Sequence, residues 1–159
     1  MTLLVTPTFE VPTAGDLDDI RALRSASGLP VDDVDEHVAR FILAKWKGSL
    51  IGTVAVEYAG EAALLRSFSV AASYRAKTVG ARLLSAIEGK AASNGVRELY
   101  LLTTSAAAFF EQRGFSRTSR ADAPLGIRNT AQFRKLCPST AICLRKTLPS
   151  SATELAGAP

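Results

Sequence analysis

The segment Ala62–Gly95 constrains this chain more than any other, because it reads as a strand, a polar turn and a helix in succession. Ala62–Val70 is an apolar run of strand length, and Ala71–Thr78 is a short polar turn. From Val79 the apolar residues recur at helical spacing, and Gly95 follows as a residue of the kind that commonly ends a helix. The segment therefore predicts a strand–turn–helix unit.

The start of the predicted helix has the properties of an anion site. The first backbone N–H groups of a helix are unpaired and carry partial positive charge, so several amides can hold one phosphate. Gly80 lets an anion approach the backbone closely, and Arg75 and Lys77 add formal charge. These features predict a phosphate or pyrophosphate site. The alternative is an ordinary crossover whose basic residues are solvated.

The sequence around this turn, SVAASYRAKTVGARLL, resembles the acyl-CoA pyrophosphate loop of GNAT N-acetyltransferases. A second segment, AAAFFEQRGF, resembles the family's second acyl-CoA motif, a helix that ends in Gly-Phe. The family loop usually has glycine where Thr78 stands and another glycine where Ala76 stands. We therefore expect Thr78 to adopt a backbone that needs no positive φ.

The resemblance covers roughly residues 9–148. Through LLRSFSV, GVRELYLLTTSAAAFFEQRGF and FRKLCPSTAICLRK, the chain is similar to the N-acetyltransferases of bacterial arsenic-resistance operons. The resemblance implies one acyltransferase domain over residues 1–148, acetyl-CoA as co-substrate and a small-molecule amine as acceptor. The tail at 149–159 has little large apolar surface and is expected to be disordered.

The fold class that the resemblance implies is α/β, with a GNAT-like mixed sheet and helices on both faces. An antiparallel meander would be followed by two central parallel strands that splay apart. The pantetheine arm of acetyl-CoA would run in that cleft like an added strand, with ordinary sheet pairing as the alternative for the strand residues. The expected cofactor-binding residues are Phe68, Ser69, Val70, Arg75, Ala76, Lys77, Thr78, Val79, Gly80, Ala81, Arg82 and Phe110.

Acetyl transfer to an amine requires removal of a proton from the amine and stabilisation of a tetrahedral oxyanion. The resemblance implies an acidic base at the end of a strand, and Glu57 matches that position. The alternative for Glu57 is a solvated carboxylate. The family often has a tyrosine acid in its second motif, but Phe110 stands there, which excludes that route. Ser105 is a candidate hydrogen-bond donor and, in the alternative, the cap of the following helix.

Three arginines are candidates for binding an acidic substrate. Arg66 interrupts an apolar strand, and a buried arginine needs an anionic partner. It is interpreted either as a clamp for a substrate carboxylate or as the internal partner of Glu57 or Glu61. Arg128 and Arg134 are weaker candidates for the same pocket. Such a cluster would suit an acidic amino-acid analogue, and an arsenic-containing amino acid agrees with the resemblance.

The two cysteines, Cys137 and Cys143, are too few for a disulfide framework or a four-ligand zinc site, and no metal site is expected. They are interpreted as buried structural residues, with binding of trivalent arsenic as the alternative. The only histidine, His37, lies in an early polar segment and is interpreted as a surface or helix-end residue.

Composition limits the classes of protein that remain. The chain has 159 residues, 47% of them hydrophobic, which is enough for one well-filled core. The net charge of +4 suits an anionic cofactor but is not the concentrated basic stripe of a nucleic-acid-binding protein. The N-terminal segment does not read as a signal peptide, and no apolar stretch reaches the ~20 residues of a membrane helix.

These features favour a cytoplasmic enzyme with no nucleic-acid or membrane partner, and they leave a homodimer open. The alternative from another class is a non-enzymatic acyl-CoA-binding or ligand-sensing protein.

Elsewhere in the chain, the strand-helix-strand order after residue 62 predicts a parallel, right-handed crossover. The remaining predicted strands are 8–11, 40–47, 50–58, 96–103, 115–120 and 141–147, and the remaining predicted helices are 13–26, 32–37, 105–113 and 124–136.

Overall fold

The computed structural model describes residues 5–26, 41–75, 78–130, 133–134 and 140–149. The strands are β1 (Thr8–Glu10), β2 (Phe41–Trp46), β3 (Ser49–Ala59), β4 (Ala62–Val70), β5 (Glu98–Thr103), β6 (Ser116–Thr118) and β7 (Ile142–Thr147). The helices are α1 (Leu17–Ala26), α2 (Val79–Ser93), α3 (Ala107–Glu111) and α4 (Leu125–Arg128). Short 3-10 turns lie at Ala14–Asp16, Ala72–Tyr74 and Arg120–Asp122.

The strands form a mixed sheet in the order β1-β2-β3-β4-β5-β7-β6. β4 and β5 run parallel, with Ala62 opposite Glu98 and Leu64 opposite Tyr100. The pairs β1–β2, β2–β3, β5–β7 and β6–β7 are antiparallel. The predicted α/β class with a mixed sheet is therefore confirmed, and so is the parallel relation of the two strands that flank α2.

Helix α2 buries the face that its spacing predicts. Val79, Leu83, Ile87 and Ala91 are each 0% exposed. The helix ends where glycine permits a left-handed backbone, since Gly95 has a φ of 87°. Apolar residues four apart on one side thus fix which way the helix faces, and its N-terminus is fixed with it.

The described backbone groups into two compact units, one drawn from residues 1–56 and 67–88 and the other from residues 57–66 and 89–159. In the first unit, Ile20, Phe41, Leu43 and Ala55 form a buried apolar cluster. In the second unit, a separate buried cluster is formed by Ala62, Leu64, Tyr100, Ala123, Ile127 and Cys143. The single domain over residues 1–148 stays a prediction.

Two predicted helices have different bounds in the structure. Of the helix predicted at 124–136, the structure describes α4 and a further helical pair at 133–134, where the backbone N–H of Arg134 donates to the carbonyl of Thr130 (3.1 Å). The hydroxyl of Thr130 donates to the carbonyl of Ile127 (2.7 Å). The helix at 105–113 begins late, at Ala107. The predicted helix at 32–37, His37, Cys137 and residues 150–159 of the tail lie outside the described residues.

Helix α4 approaches the end of β3 closely at Gly126. A Cβ atom on Gly126 would lie 3.0 Å from the Cβ of Ala59, which is closer than ordinary van der Waals contact. The preceding residue, Leu125, is 61% exposed. Two small residues therefore set the spacing between this helix and this strand.

An ion pair ties the start of α1 to β2. Lys45 Nζ lies 2.8 Å from Asp16 Oδ1, and the backbone N–H of Thr13 donates to Asp16 Oδ2 (2.8 Å). The hydrogen bond from Lys45 is the largest cause that lowers the pKa of the Asp16 carboxyl, and the bond from Thr13 adds to it. The same pair raises the pKa of Lys45. The charged forms of both groups are thus favoured by folding.

We expect Asp16→Asn to reduce stability at pH 7 by about 1 kcal/mol, or ~2–4 °C in Tm. A carboxyl whose folded pKa is lowered contributes stability above its unfolded pKa of about 3.9, and that stability is lost as the pH falls through the folded pKa. Thermal unfolding should therefore separate the two proteins at pH 7 and bring them together near pH 2. Asp18→Asn, which changes a 99% exposed carboxylate in the same region, is the control. An equal difference in Tm between the native protein and Asp16→Asn at both pH values would contradict a stabilising ion pair between Asp16 and Lys45.

Candidate active site

Strand β4 contains a residue in the left-handed region. Ser67 has a φ of +56°, although residues with a Cβ atom lose roughly 1–2 kcal/mol there. The hydroxyl of Thr53, on β3, donates to the carbonyl oxygen of Ser67 (2.8 Å). Thr53 is 0% exposed and Ser67 is 6% exposed, so water does not compete for this bond. Nothing in the sequence marks Ser67, since a serine in an apolar strand carries no signal of an unusual φ.

The three strand residues that are predicted to contact the cofactor come directly after Ser67 on β4. Phe68 is half-buried, and Ser69 and Val70 are buried. The carbonyl of Val70 accepts a hydrogen bond from Nε of Arg75 (2.9 Å). The three residues therefore lie consecutively on β4, immediately before the turn that leads to α2, and Arg75 is tied back to the end of that strand.

The prediction that Thr78 needs no positive φ is wrong, because its φ is +61°. The carbonyl of Thr78 accepts the backbone N–H of Arg82 (3.1 Å), so this residue begins the hydrogen bonding of α2. Thr78 thus adopts the conformation that glycine usually supplies at a tight entry into a helix. For a β-branched residue this backbone is an outlier, and such strain concentrates at functional sites.

The N-terminus of α2 supplies the amides that the sequence predicts for an anion. The backbone N–H groups at 79–81 belong to the first turn, where a helix has no internal acceptors for them. Gly80 is buried. The backbone N–H of Arg82 donates to the carbonyl of Thr78, and its guanidinium lies 5.8 Å from the centre of the Phe9 ring, so its contact with the cofactor stays a prediction. The remaining predicted turn residues, Ala76 and Lys77, lie outside the described residues.

In the second unit, Arg66 is paired with Glu57. Arg66 NH1 lies 3.9 Å from Glu57 Oε1, and the side chains are 4% and 19% exposed. Of the two interpretations of Arg66, an internal partner such as Glu57 is the one that this contact supports. The separation is that of an ion pair rather than of a direct hydrogen bond between these two atoms. Opposite charges are therefore held together at low exposure by the hairpin of β3 and β4.

Ser105 does not cap α3, contrary to the alternative weighed above. The N-cap is Ala106, and the hydroxyl of Thr103 accepts the backbone N–H groups of Ser105 (3.4 Å) and Ala106 (2.9 Å). Ser105 is exposed. The hydroxyl of Thr103, at the end of β5, thus accepts the two backbone N–H groups that lead into α3. The role of Ser105 as a donor in catalysis stays a prediction.

Phe110 is a core residue of the second unit. It is 4% exposed and makes edge-to-face contacts with Phe109 (5.1 Å between ring centres) and Phe115 (5.5 Å). Such packing accounts for an aromatic ring at this position without a hydroxyl group. Its contact with the cofactor stays a prediction.

The two later arginines and Cys143 have different surroundings. Arg128 is exposed, with Nε donating to the carbonyl of Ala123 (2.9 Å), and Arg134 is also exposed. Cys143 is 2% exposed, and burial raises the pKa of its thiol to about 11. Burial keeps this thiol away from solvent, which supports the structural interpretation of Cys143.

Comparisons with known proteins identify the family of this chain. Residues 6–115 match the model of the acetyltransferase (GNAT) family. An uncharacterized N-acetyltransferase of Chlorobaculum tepidum is 30% identical over 120 residues, which are 74% of this chain and 77% of that protein. The chain therefore belongs to the GNAT family of acyltransferases, which take the acetyl group from acetyl-CoA. The narrower resemblance to arsenic-resistance enzymes stays a prediction.

Solved structures share the fold at low identity. N-acetylglutamate synthase of Neisseria gonorrhoeae, in complex with coenzyme A and N-acetyl-glutamate, superposes with a TM-score of 0.80 at 22% identity. The match covers 91% of this chain but only 35% of the synthase. A Mycobacterium tuberculosis protein in complex with CoA and the ligand NLQ gives a TM-score of 0.79 at 16% identity, over 90% of this chain and 100% of that one.

One further observation concerns membranes. Across the described ranges, every helix is too short or too polar to cross a bilayer.

We expect Thr78→Gly to be more stable than Thr78→Ala by about 1 kcal/mol, the reverse of the order in ordinary helical positions. Both variants remove the threonine hydroxyl and methyl groups. They differ in the Cβ atom, which alanine keeps and which is penalised at a positive φ. Thermal unfolding and acetyl-CoA calorimetry should both be measured, because glycine at this position should leave cofactor binding intact. An alanine variant equal to or more stable than the glycine variant would contradict the left-handed backbone at Thr78.

Proposed function

We propose that this protein is an N-acetyltransferase that moves the acetyl group of acetyl-CoA directly to the amine of a small molecule. The observation that carries the proposal is the strand–turn–helix from β4 to α2, in a chain of the GNAT family. It combines first-turn amides at 79–81, a left-handed residue at Thr78 and an arginine, Arg75, in the connecting turn, whose Nε donates to the carbonyl of Val70 at the end of β4. These are the features that favour a pyrophosphate at a helix N-terminus.

The residues of the first unit fit acetyl-CoA in the order of its chemical groups. The pyrophosphate would bind at the start of α2, where Arg75 and Lys77 add positive charge. The pantetheine arm would lie along the backbone of Phe68, Ser69 and Val70, in the manner of an added strand. The thioester supplies an acyl group whose leaving thiolate, with a pKa of about 8.5, needs little assistance near neutral pH.

The acceptor that we propose is a small acidic amine of the amino-acid type. Arg66 supports this proposal, because it is a nearly buried cation and a substrate carboxylate would be a second anion for it beside Glu57. Arg128 and Arg134 are exposed cations that we propose for the same substrate class. The gonococcal synthase is a fold relative solved with an acidic N-acetylated amino acid. An arsenic-containing amino acid is one member of this class.

We propose a cytoplasmic location for the enzyme and leave a homodimer open.

Glu57 is the proposed base. A carboxylate at the end of a strand would take the proton from the acceptor amine, directly or through water, so that the nitrogen lone pair becomes available. Its pairing with Arg66 fixes the position of the carboxylate. Ser105 remains a candidate hydrogen-bond donor for the same reaction.

A second candidate function is a non-enzymatic protein that binds or senses acyl-CoA. Phe110 favours it, because this residue stands where the family often has a tyrosine acid and is enclosed by Phe109 and Phe115. The chemistry opposes it, since a thioester does not depend on a strong general acid for the departure of its thiolate.

Acetyl-CoA calorimetry and amine-dependent thiol release separate these functions. We expect binding of acetyl-CoA, and turnover with acidic amino acids or their arsenic-containing analogues but not with their neutral amides. Arg75→Ala should weaken acetyl-CoA about tenfold, since it removes a charge-assisted contact with a phosphate. Arg117→Ala changes an arginine that is 59% exposed on β6 and is the matched control. Binding without turnover on any amine would support the sensing function, and no binding would refute both.

Glu57→Gln tests the proposed base. We expect kcat to fall about 100-fold while the affinity for acetyl-CoA is unchanged, because general base catalysis contributes an effect of this size. The rise of kcat/KM with pH on the acidic side should also disappear. Glu61→Gln, at an exposed position in the adjoining turn, is the control. If Glu57→Gln retains the activity and pH profile of the native enzyme, another group removes the proton.

A further inference from the structure

Ser67 combines two features that a strand residue does not need for folding. Its φ of +56° lies in the region that disfavours side chains, in the middle of a strand that otherwise runs from Ala62 to Val70. Its carbonyl is held by the hydroxyl of a completely buried threonine, Thr53, at 2.8 Å. Strained backbone that is fixed in this way by its surroundings is commonly part of a functional site.

The hydroxyl of Ser67 is the second feature. Ser67 is 6% exposed, and its Oγ is enclosed without a hydrogen-bond partner among the described residues. Buried hydroxyl groups nearly always have a partner, because an unsatisfied one loses its hydrogen bonds to water without replacement. A bound molecule that offers an acceptor oxygen would satisfy this group.

The order of groups in acetyl-CoA indicates which part of the molecule would reach Ser67. The pyrophosphate belongs at the start of α2, and the pantetheine arm would run back along Val70, Ser69 and Phe68. The thioester is attached at the end of that arm, away from the pyrophosphate. The acetyl group would therefore arrive beside Ser67, the next residue along the strand.

We propose that the hydroxyl of Ser67 donates a hydrogen bond to the carbonyl oxygen of the acetyl group, and that Ser67 is thus a catalytic residue. The inference rests on the function proposed above. A donor aimed at an oxygen that becomes negative during the reaction accelerates acyl transfer, and it does so most strongly where water is excluded.

The step balances without a proton from Ser67. The amine nitrogen attacks the carbonyl carbon, a C–N bond forms, and the π electron pair moves to the oxygen that Ser67 stabilises. When the pair returns, the C–S bond breaks and the thiolate leaves with its electrons. The amine proton goes to the base or to water, and the thiolate is tolerated or protonated by solvent. Ser67 keeps its proton throughout.

The test compares two ligands that differ in the carbonyl oxygen. Acetyl-CoA has it, whereas S-ethyl-CoA has a methylene group in place of the whole carbonyl group and so offers no acceptor oxygen there. Calorimetry on the native protein and on Ser67→Ala should show acetyl-CoA weakened about fivefold and S-ethyl-CoA unchanged. In amine-dependent thiol release, kcat of Ser67→Ala should fall about 100-fold with little change in KM for the amine.

Ser67→Gly separates the hydroxyl from the backbone. Glycine also lacks the hydroxyl but accommodates a positive φ, so it should unfold ~2–4 °C above Ser67→Ala. It should lose the same factors in binding and kcat if the hydroxyl is responsible. Recovery of activity in Ser67→Gly would assign the effect of alanine to strain and would overturn the inference.

The other outcomes are equally decisive. If Ser67→Ala weakens both ligands to the same degree, or transfers acetyl at the native rate, the hydroxyl does not contact the carbonyl oxygen, while the proposed function stands. If the native protein binds neither ligand, the proposed function fails and this inference fails with it.

Discussion

The hydrogen bond from Thr53 to the carbonyl of Ser67 is the contact on which the course of β4 depends. It holds a residue with a φ of +56° inside a strand, where the regular backbone would otherwise be preferred. The residues that follow, from Phe68 to Val70, lead into the turn and the start of α2. This buried hydroxyl therefore helps to position the proposed cofactor site, together with the bond from the Ala71 N–H to the carbonyl of Ile51 (2.8 Å) at the end of β4.

The periodicity of apolar residues was sufficient to predict the helices and strands that pack by their apolar faces. The residues of α2 that recur every four positions are fully buried, and β4 has the predicted bounds. These patterns are readable because burial selects side chains directly, at a spacing that differs between helices and strands. The anion site proposed at the start of α2 comes from the same pattern, since the helix start and the basic turn are both local in the sequence, and it stays a prediction.

The features that could not be predicted from the sequence depend on backbone geometry and on hydrogen-bond or ion-pair partners that are distant in the sequence. Thr78 takes a positive φ although a β-branched residue predicts the opposite, because the entry into α2 and its hydrogen bond to Arg82 determine the backbone. Ser67 shows no local signal, since its partner lies 14 residues away on β3. A cap of α3 was one of two interpretations of Ser105, but the N-cap is Ala106, and the Thr103 hydroxyl accepts the backbone N–H groups of Ser105 and Ala106. The pairing of Arg66 with Glu57 was one of several alternatives, and only three-dimensional structure distinguishes them.

The approach of α4 to β3 has a consequence for how the second unit tolerates sequence change. Leu125 is large and apolar but mostly exposed, whereas a Cβ atom on its neighbour Gly126 would lie 3.0 Å from the Cβ of Ala59, so that one of the two would have to shift. In a library that samples every substitution at both positions, the conspicuous hydrophobic residue would be the replaceable one. Gly126 would be the restricted residue, because any side chain there would crowd the Cβ of Ala59.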